Sequence, residues 1–161
     1  MVCKILNRIF LKIYRFNKKL YKLKFFGIKV GENLEVYGNV KIFGNRCNIF
    51  IGDNCSFNEG VILSANGKII IGDNVTISSY TLLHTGFLDL DIFPIKQHIY
   101  KDIVIGNNVW IASGCIISGG VKIEDNVVIG ANSVVLSDLE GGYFYAGSPA
   151  RKIYKLKGFQ K

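Results

Sequence analysis

Apolar residues recur along this chain every six positions. The longest run is uninterrupted: Ile105, Ile111, Ile117, Ile123, Ile129 and Val135. Three shorter runs precede it, namely Val30, Val36 and Ile42, then Ile51, Phe57 and Leu63, then Ile71, Ile77 and Leu83. Small or polar residues usually follow each beat, as in IGNNVW, IEDNVV and IGANSV. An α-helix repeats about every 3.6 residues and a half-buried strand about every 2, so a period of six fits neither. It fits a chain that turns a corner every six residues and points one apolar side chain inward per side. Three sides close a triangular coil, and stacked coils pair as parallel ladders about 4.8 Å apart. The runs hold three, three, three and six beats, which predicts an all-β parallel β-helix of about five triangular coils.

The fourth residue after a beat is mostly small or apolar as well: Leu34, Val40, Cys55, Val61, Val75, Cys115, Val121 and Val127. It supplies a second inward contact. Arg46, Gly67 and Ser133 break that pattern, and Arg46 predicts a distorted corner. The chain has 18 glycines and only two prolines, so glycine and asparagine make the tight turns.

The beat fails at length once. From Leu83 to Ile105 there are 22 residues instead of six, so about sixteen leave the coil. This projecting loop, 84–104, contains both histidines, His84 and His98. A long loop ejected from a rigid stack is a natural carrier of function. His84 follows the last beat before it; His98 lies mid-loop with no motif and receives no role.

Ahead of the repeat, residues 1–28 form a different segment. Val2, Leu6, Ile9, Ile13, Phe16, Leu20 and Leu23 alternate spacings of four and three, an apolar helical stripe opposite Lys4, Arg8, Lys12, Arg15, Lys19 and Lys22. This amphipathic helix carries the charge asymmetry. The chain has 20 Lys and Arg against 12 acids; eight of those cations fall in residues 1–26 before any acid, leaving 20 − 8 = 12 to balance the 12 acids. The remainder of the chain, which includes the repeat at residues 29–150, is therefore neutral and is not a basic nucleic-acid surface. No uncharged apolar run makes the first segment a signal peptide or membrane span. Two readings stay open for it: packing on the β-helix or a neighbouring subunit, or lying on an anionic membrane surface. Residues 151–161 are a basic tail. The four cysteines have no CxxC spacing and read as free thiols of a cytosolic protein.

The hexads, with IGNNVWIASGCIISGGVKIEDNVVIGANSVV followed by AGSPARKI, resemble the hexapeptide-repeat acyltransferases, most closely the sugar O-acetyltransferases of the galactoside, maltose and surface-polysaccharide type. The resemblance covers about residues 30–150. It implies a left-handed coil, a homotrimer, acetyl-CoA as co-substrate, no required metal, and a sugar or polysaccharide acceptor. It also implies His84 as the general base that takes the acceptor hydroxyl's proton. Imidazole suits that task because its ordinary pKa lies near neutral. Ser113 and Ala131 match positions along the pantetheine arm, and a donor near Ser113 would support the oxyanion formed at the thioester. Arg151, with Lys152, matches the position that meets nucleotide phosphates, for which a guanidinium is suited. Trp110 falls outside the beat and should face outward, at the catalytic cleft or under a neighbouring subunit. Asn58 matches an acceptor-contacting position. For Asp89 and Asp91 two roles stay open, binding acceptor hydroxyls or orienting His84.

The expected activity is acetyl-CoA-dependent O-acetylation of a sugar hydroxyl in surface-polysaccharide synthesis. It would be cytoplasmic, with peripheral attachment at the inner face of the membrane if residues 1–26 bind it. N-acetylation of an amino sugar and acetylation of a xenobiotic use the same base and remain alternatives. A metal-dependent carbonic anhydrase on this fold needs three histidine ligands, and the chain has two histidines. A purely structural β-helix would bind no acetyl-CoA.

Overall fold

A computed structural model of the chain describes residues 27–89 and 97–158. The amphipathic segment expected at residues 1–26, and Asp91, lie outside the described residues. The rest is a parallel β-helix with three faces. The first face is a five-stranded sheet of Lys29–Val30, Ile49–Ile51, Ile69–Ile71, Ile103–Ile105 and Lys122–Ile123. The second holds Glu35–Tyr37, Ser56–Asn58, Thr76–Ile77, Trp110–Ile111 and Val128–Ile129, then Tyr143–Ala146 and the antiparallel strand Arg151–Lys155. The third holds Lys41–Gly44, Ile62–Ala65, Leu82–His84, Ile116–Ser118 and Val134–Val135.

The beat residues stack on one another in three columns. Val30, Ile51, Ile71, Ile105 and Ile123 pair in register along the first face. Val36, Phe57, Ile77, Ile111 and Ile129 do so along the second. Ile42, Leu63, Leu83, Ile117 and Val135 do so along the third. From Ile51 onward every one is at most 4% exposed; Val30, Val36 and Ile42, in the first coil, are half-buried. The stack continues past the expected five coils. Leu139 bridges to Ile123 and Tyr145 pairs with Ile129, both buried, so a partial sixth coil closes the far end.

The corner between the first and second faces explains the recurrent GDN and GNN triplets. Asn33, Asn54, Asn74, Asn108 and Asn126 all turn there with φ between 54° and 61°, a region asparagine tolerates. Their amides link coil to coil, with Asn74 donating to Asn108 and Asn108 to Asn126, each at 3.2 Å. The residue before four of them caps the coil before it: Asp53 accepts from the Glu32 N–H at 2.6 Å, Asp73 from the Asp53 N–H at 2.8 Å, Asn107 from the Asp73 N–H at 2.8 Å and Asp125 from the Asn107 N–H at 2.7 Å. These side chains satisfy backbone donors that a corner would otherwise leave unpaired.

Two departures from the beat, the Arg46 turn and the long excursion, share one corner, between the third and first faces. Arg46 opens a short 3-10 turn there, Arg46–Asn48, as the broken pattern predicted. The long excursion leaves from the same corner, and its described ends form an antiparallel hairpin of Gly86–Leu88 with His98–Tyr100. Among the described residues no helix is long and apolar enough to cross a membrane.

Candidate active site

His84 is the last residue of the strand Leu82–His84, in register between Ser64 and Ser118. Coming one residue after the inward Leu83, it faces outward and is exposed. Its backbone is held on both sides. The His84 carbonyl accepts the Gly119 N–H at 2.8 Å. The next residue, Thr85, is fully buried. Its hydroxyl donates to the Ser64 carbonyl at 2.9 Å and accepts from the N–H groups of Asn66 and Gly67 at 3.1 and 3.0 Å. One threonine thus pins the base of the hairpin to the coil before it. Gly86 then opens the hairpin opposite Tyr100. A Cβ on Gly86 would lie 3.1 Å from Nε2 of His84 and 3.5 Å from Cε1 of Tyr100. The imidazole therefore rests against the bare α-carbon of Gly86, and the Tyr100 ring borders the same space.

Asp89 follows the strand Gly86–Leu88, and its N–H donates to the Gln97 carbonyl at 2.9 Å, which closes the described part of the hairpin. His98 is exposed opposite Leu88.

Asn58 and Trp110 both face out from the second face. Trp110 is 52% exposed, as its place outside the beat required, and its indole N–H donates to the Ser78 hydroxyl at 3.1 Å. Asn58 is half-buried at the end of the strand Ser56–Asn58. Ser113 and Ala131 are exposed at the corner between the second and third faces, one coil apart, and the Ser113 carbonyl accepts the Asn132 N–H at 2.9 Å. Beneath this corner Cys115 is buried with its thiol donating to the Gly130 carbonyl at 3.2 Å, and that burial pushes its pKa up. It is a protonated packing group here.

The two cations offered to a phosphate differ. Lys152 is already paired, its ammonium 2.5 Å from a Glu140 carboxylate oxygen and 3.9 Å from the Tyr143 ring centroid; the hydrogen bond to Glu140 raises its pKa. Arg151, in the strand Arg151–Lys155, is exposed and bonded only weakly to the adjoining Ala150 carbonyl at 3.3 Å, leaving most of its fork available.

One chain therefore brings together Asn58 and Trp110 on the second face and Ser113 and Ala131 on its adjoining corner. It places His84 apart, across the third face at the opposite corner. Among the described residues no group of three or more His, Cys, Asp and Glu is placed to hold a metal ion. Sequence reasoning passed over Thr85, Gly86 and Tyr100, whose importance depends on contacts across the hairpin. It also passed over Tyr80, which is three residues after a beat, where other coils have Gly60, Gly114 or Asn132. That mismatch was visible in the repeat.

Residues 102–137 match the family profile described as bacterial transferase hexapeptide (six repeats). The chain is 38% identical over 140 residues to galactoside O-acetyltransferase of Escherichia coli K12, an alignment spanning 82% of this chain and 66% of that enzyme. It is 33% identical over 141 residues to WcaF of the same bacterium, an acetyltransferase named for colanic acid biosynthesis, spanning 86% of this chain and 74% of the relative. The fold superposes with a TM-score of 0.80 on a hexapeptide-repeat acetyltransferase of Vibrio cholerae solved with acetyl coenzyme A, at 31% identity over 89% of this chain and 78% of that one. The chain belongs to the hexapeptide-repeat acyltransferases and shares their left-handed parallel β-helix. That hand departs from the usual right-handed crossover between parallel strands. It spans 66% of the galactoside enzyme's length, slightly under two thirds.

Proposed function

We propose that the protein transfers the acetyl group of acetyl-CoA to a hydroxyl of a saccharide, with His84 as general base and the site completed between subunits of a homotrimer. The observation that carries this reading is the placement of His84. It is an exposed imidazole on a doubly anchored backbone, on the same stack as an outward cofactor-type corner but a full face away from it. A neighbouring copy is what would bring one chain's His84 to another's Ser113 and Ala131.

The chemistry follows from these groups. The acceptor hydroxyl gives its proton to the neutral imidazole as its oxygen bonds to the thioester carbonyl carbon. The carbonyl oxygen takes up negative charge, which a donor near Ser113 stabilises. The C–S bond then breaks, and the imidazolium returns the proton to the departing sulfur, leaving an acetyl ester and CoA. Small residues at the cofactor corner admit the pantetheine arm, and the exposed guanidinium of Arg151 suits the nucleotide phosphates. Lys152 would have to leave Glu140 to join it. Asn58 and Trp110 face the acceptor, and Asp89, immediately after the hairpin strand Gly86–Leu88, offers a carboxylate to the acceptor's hydroxyls. The galactoside and colanic-acid relatives favour a saccharide acceptor.

The test is release of CoA from acetyl-CoA across a panel of sugars and amino sugars. Acceptor-dependent release should fall about 10²–10⁴-fold in His84→Ala. Mixed subunits of His84→Ala and Ala131→Trp, each inactive alone, should regain turnover, because some interfaces then combine an intact base with an intact cofactor corner. Full activity in His84→Ala would remove the base. Failure of the mixture to recover would place the whole site in one chain.

A further inference from the structure

The corner between the second and third faces is a left-handed turn in successive coils. Gly60, Gly114 and Asn132 occupy it with φ of 75°, 73° and 57°. In the coil between Gly60 and Gly114 the position is Tyr80, with φ of 60°. Glycine adopts this region freely and asparagine tolerates it, but a bulky side chain is strained there. Burial of the ring does not offset that strain, since Tyr80 is 70% exposed. The ring lies across Gly60, where an added Cβ would come within 2.4 Å of its Cδ1 and 2.7 Å of its Cε1. Gly60 is bare where the ring sits, so the ring is held by one face and open on the other. A strained backbone that presents a fixed, exposed aromatic is the kind of conformation retained for binding.

Its place along the stack says what it would bind. The N–H of Tyr80 donates to the Glu59 carbonyl, that of Gly114 to Ser79, and that of Asn132 to Ser113, each at 2.9 Å. The corner is thus one column: Glu59–Gly60, Ser79–Tyr80, Ser113–Gly114, Ala131–Asn132. Asn58 leads into its first step, and the two cofactor-corner residues occupy the third and fourth. Tyr80 stands between them, on the line that runs from Asn58 to the cofactor-type corner. We propose that Tyr80 is an acceptor-binding residue, its open ring face stacking on the C–H face of a pyranose while the Asn58 amide meets the sugar's hydroxyls. Aromatic rings supply large contact area at little entropy cost, and a few convergent polar groups then fix orientation. The assignment rests on the saccharide reading above.

Trp110 is the chain's only tryptophan, and it bonds Ser78, two residues from Tyr80, so its fluorescence reports binding on this face without turnover. Maltose and the methyl glycosides of glucose, galactose and N-acetylglucosamine would be titrated into the full-length protein, with CoA titrated separately. At least one sugar should change the emission saturably. Tyr80→Asn should weaken that sugar at least tenfold while leaving CoA binding unchanged, and it should melt no lower than wild type because asparagine accepts the turn. Tyr80→Phe should bind within twofold of wild type, since the ring and not the hydroxyl makes the contact. Equal sugar affinity in Tyr80→Asn, or a loss of CoA affinity in its place, would overturn the role of Tyr80 alone. A wild-type protein that binds CoA but none of these sugars would overturn the saccharide reading, and this assignment with it.

Discussion

To serve as the proposed base, His84 must hold its ring in the orientation that the acceptor needs, and the space the ring occupies is left by a missing side chain. Nε2 of His84 lies 3.1 Å from where a Gly86 Cβ would begin. That distance is tighter than ordinary van der Waals contact, so Gly86→Ala should push the imidazole by a few tenths of an ångström and leave the coil beneath it intact. Displacements of about 1 Å can lower a rate about 10²-fold. A drop of about tenfold in kcat, with acetyl-CoA affinity and melting temperature nearly unchanged, is expected for Gly86→Ala. A fall in melting temperature matching the loss of activity would mean that Gly86 serves the hairpin's folding instead. The place of His84 at the end of a strand and the start of the hairpin was legible in the sequence, because it follows a beat and precedes the break. Gly86 was not: nothing in the spacing shows that a glycine two residues on faces the imidazole and the ring of Tyr100.

Among the elements, the hairpin is the one that the repeat announced without describing. The break from Leu83 to Ile105 marked where chain leaves the stack, but strands of three residues such as Gly86–Leu88 and His98–Tyr100 are too short to show a period. What joins hairpin to stack is Thr85, whose single hydroxyl serves one acceptor and two donors in a fully buried setting. Thr85→Val keeps the shape and leaves the Asn66 and Gly67 N–H groups without that partner. An unmet buried group costs about 1–3 kcal/mol, so a loss of about 2–4 kcal/mol in urea unfolding is expected. Thr85→Ser, which restores the hydroxyl, should recover most of it. If valine were as stable as threonine, the two N–H groups would have to find water, and the hairpin would owe its position to backbone bonds such as Thr85 N–H to the Ser64 carbonyl and Gly119 N–H to the His84 carbonyl. The corner asparagines are the opposite case. Their triplets were plain in the sequence as turn formers, and the ladder they build follows from the register that the beat imposes.

For the whole molecule, the three columns of beat residues were readable because each contact is between neighbours one coil apart, so a one-dimensional period maps directly onto the stack. The partial sixth coil escaped that reading because Leu139 follows Val135 by four residues, a shortened corner that takes the chain off the beat. The two ends of the stack consequently differ. The far end is closed by buried Leu139 and Tyr145, while Val30, Val36 and Ile42 at the near end are only half-buried. In a stack held by nearest-neighbour contacts, opening should begin where burial is poorest. Cys55 and Cys115 report on this directly. Both are buried, Cys55 in the second coil and Cys115 in the fourth, and burial raises the pKa of each thiol. In rising urea at pH 8, with Cys47 blocked beforehand, Cys55 should become open to alkylation at a lower concentration than Cys115. Mass spectrometry of the labelled peptides would show it, and simultaneous labelling would mean that the stack opens as one unit. The same thiols set an alkaline limit. Because their folded pKa is raised, the folded state holds its thiol protons more tightly than the unfolded chain does. Their contribution is complete below the ordinary thiol value of about 8.5 and is lost as pH rises through the folded values. The melting temperature should therefore be flat with respect to these groups below that point and fall above it. The fall should be shallower in Cys55→Ala and Cys115→Ala once their lower starting stability is allowed for, and an unchanged slope in both variants would assign the alkaline loss to other groups, of which the buried Tyr145, also shifted upward by burial, is the next to test.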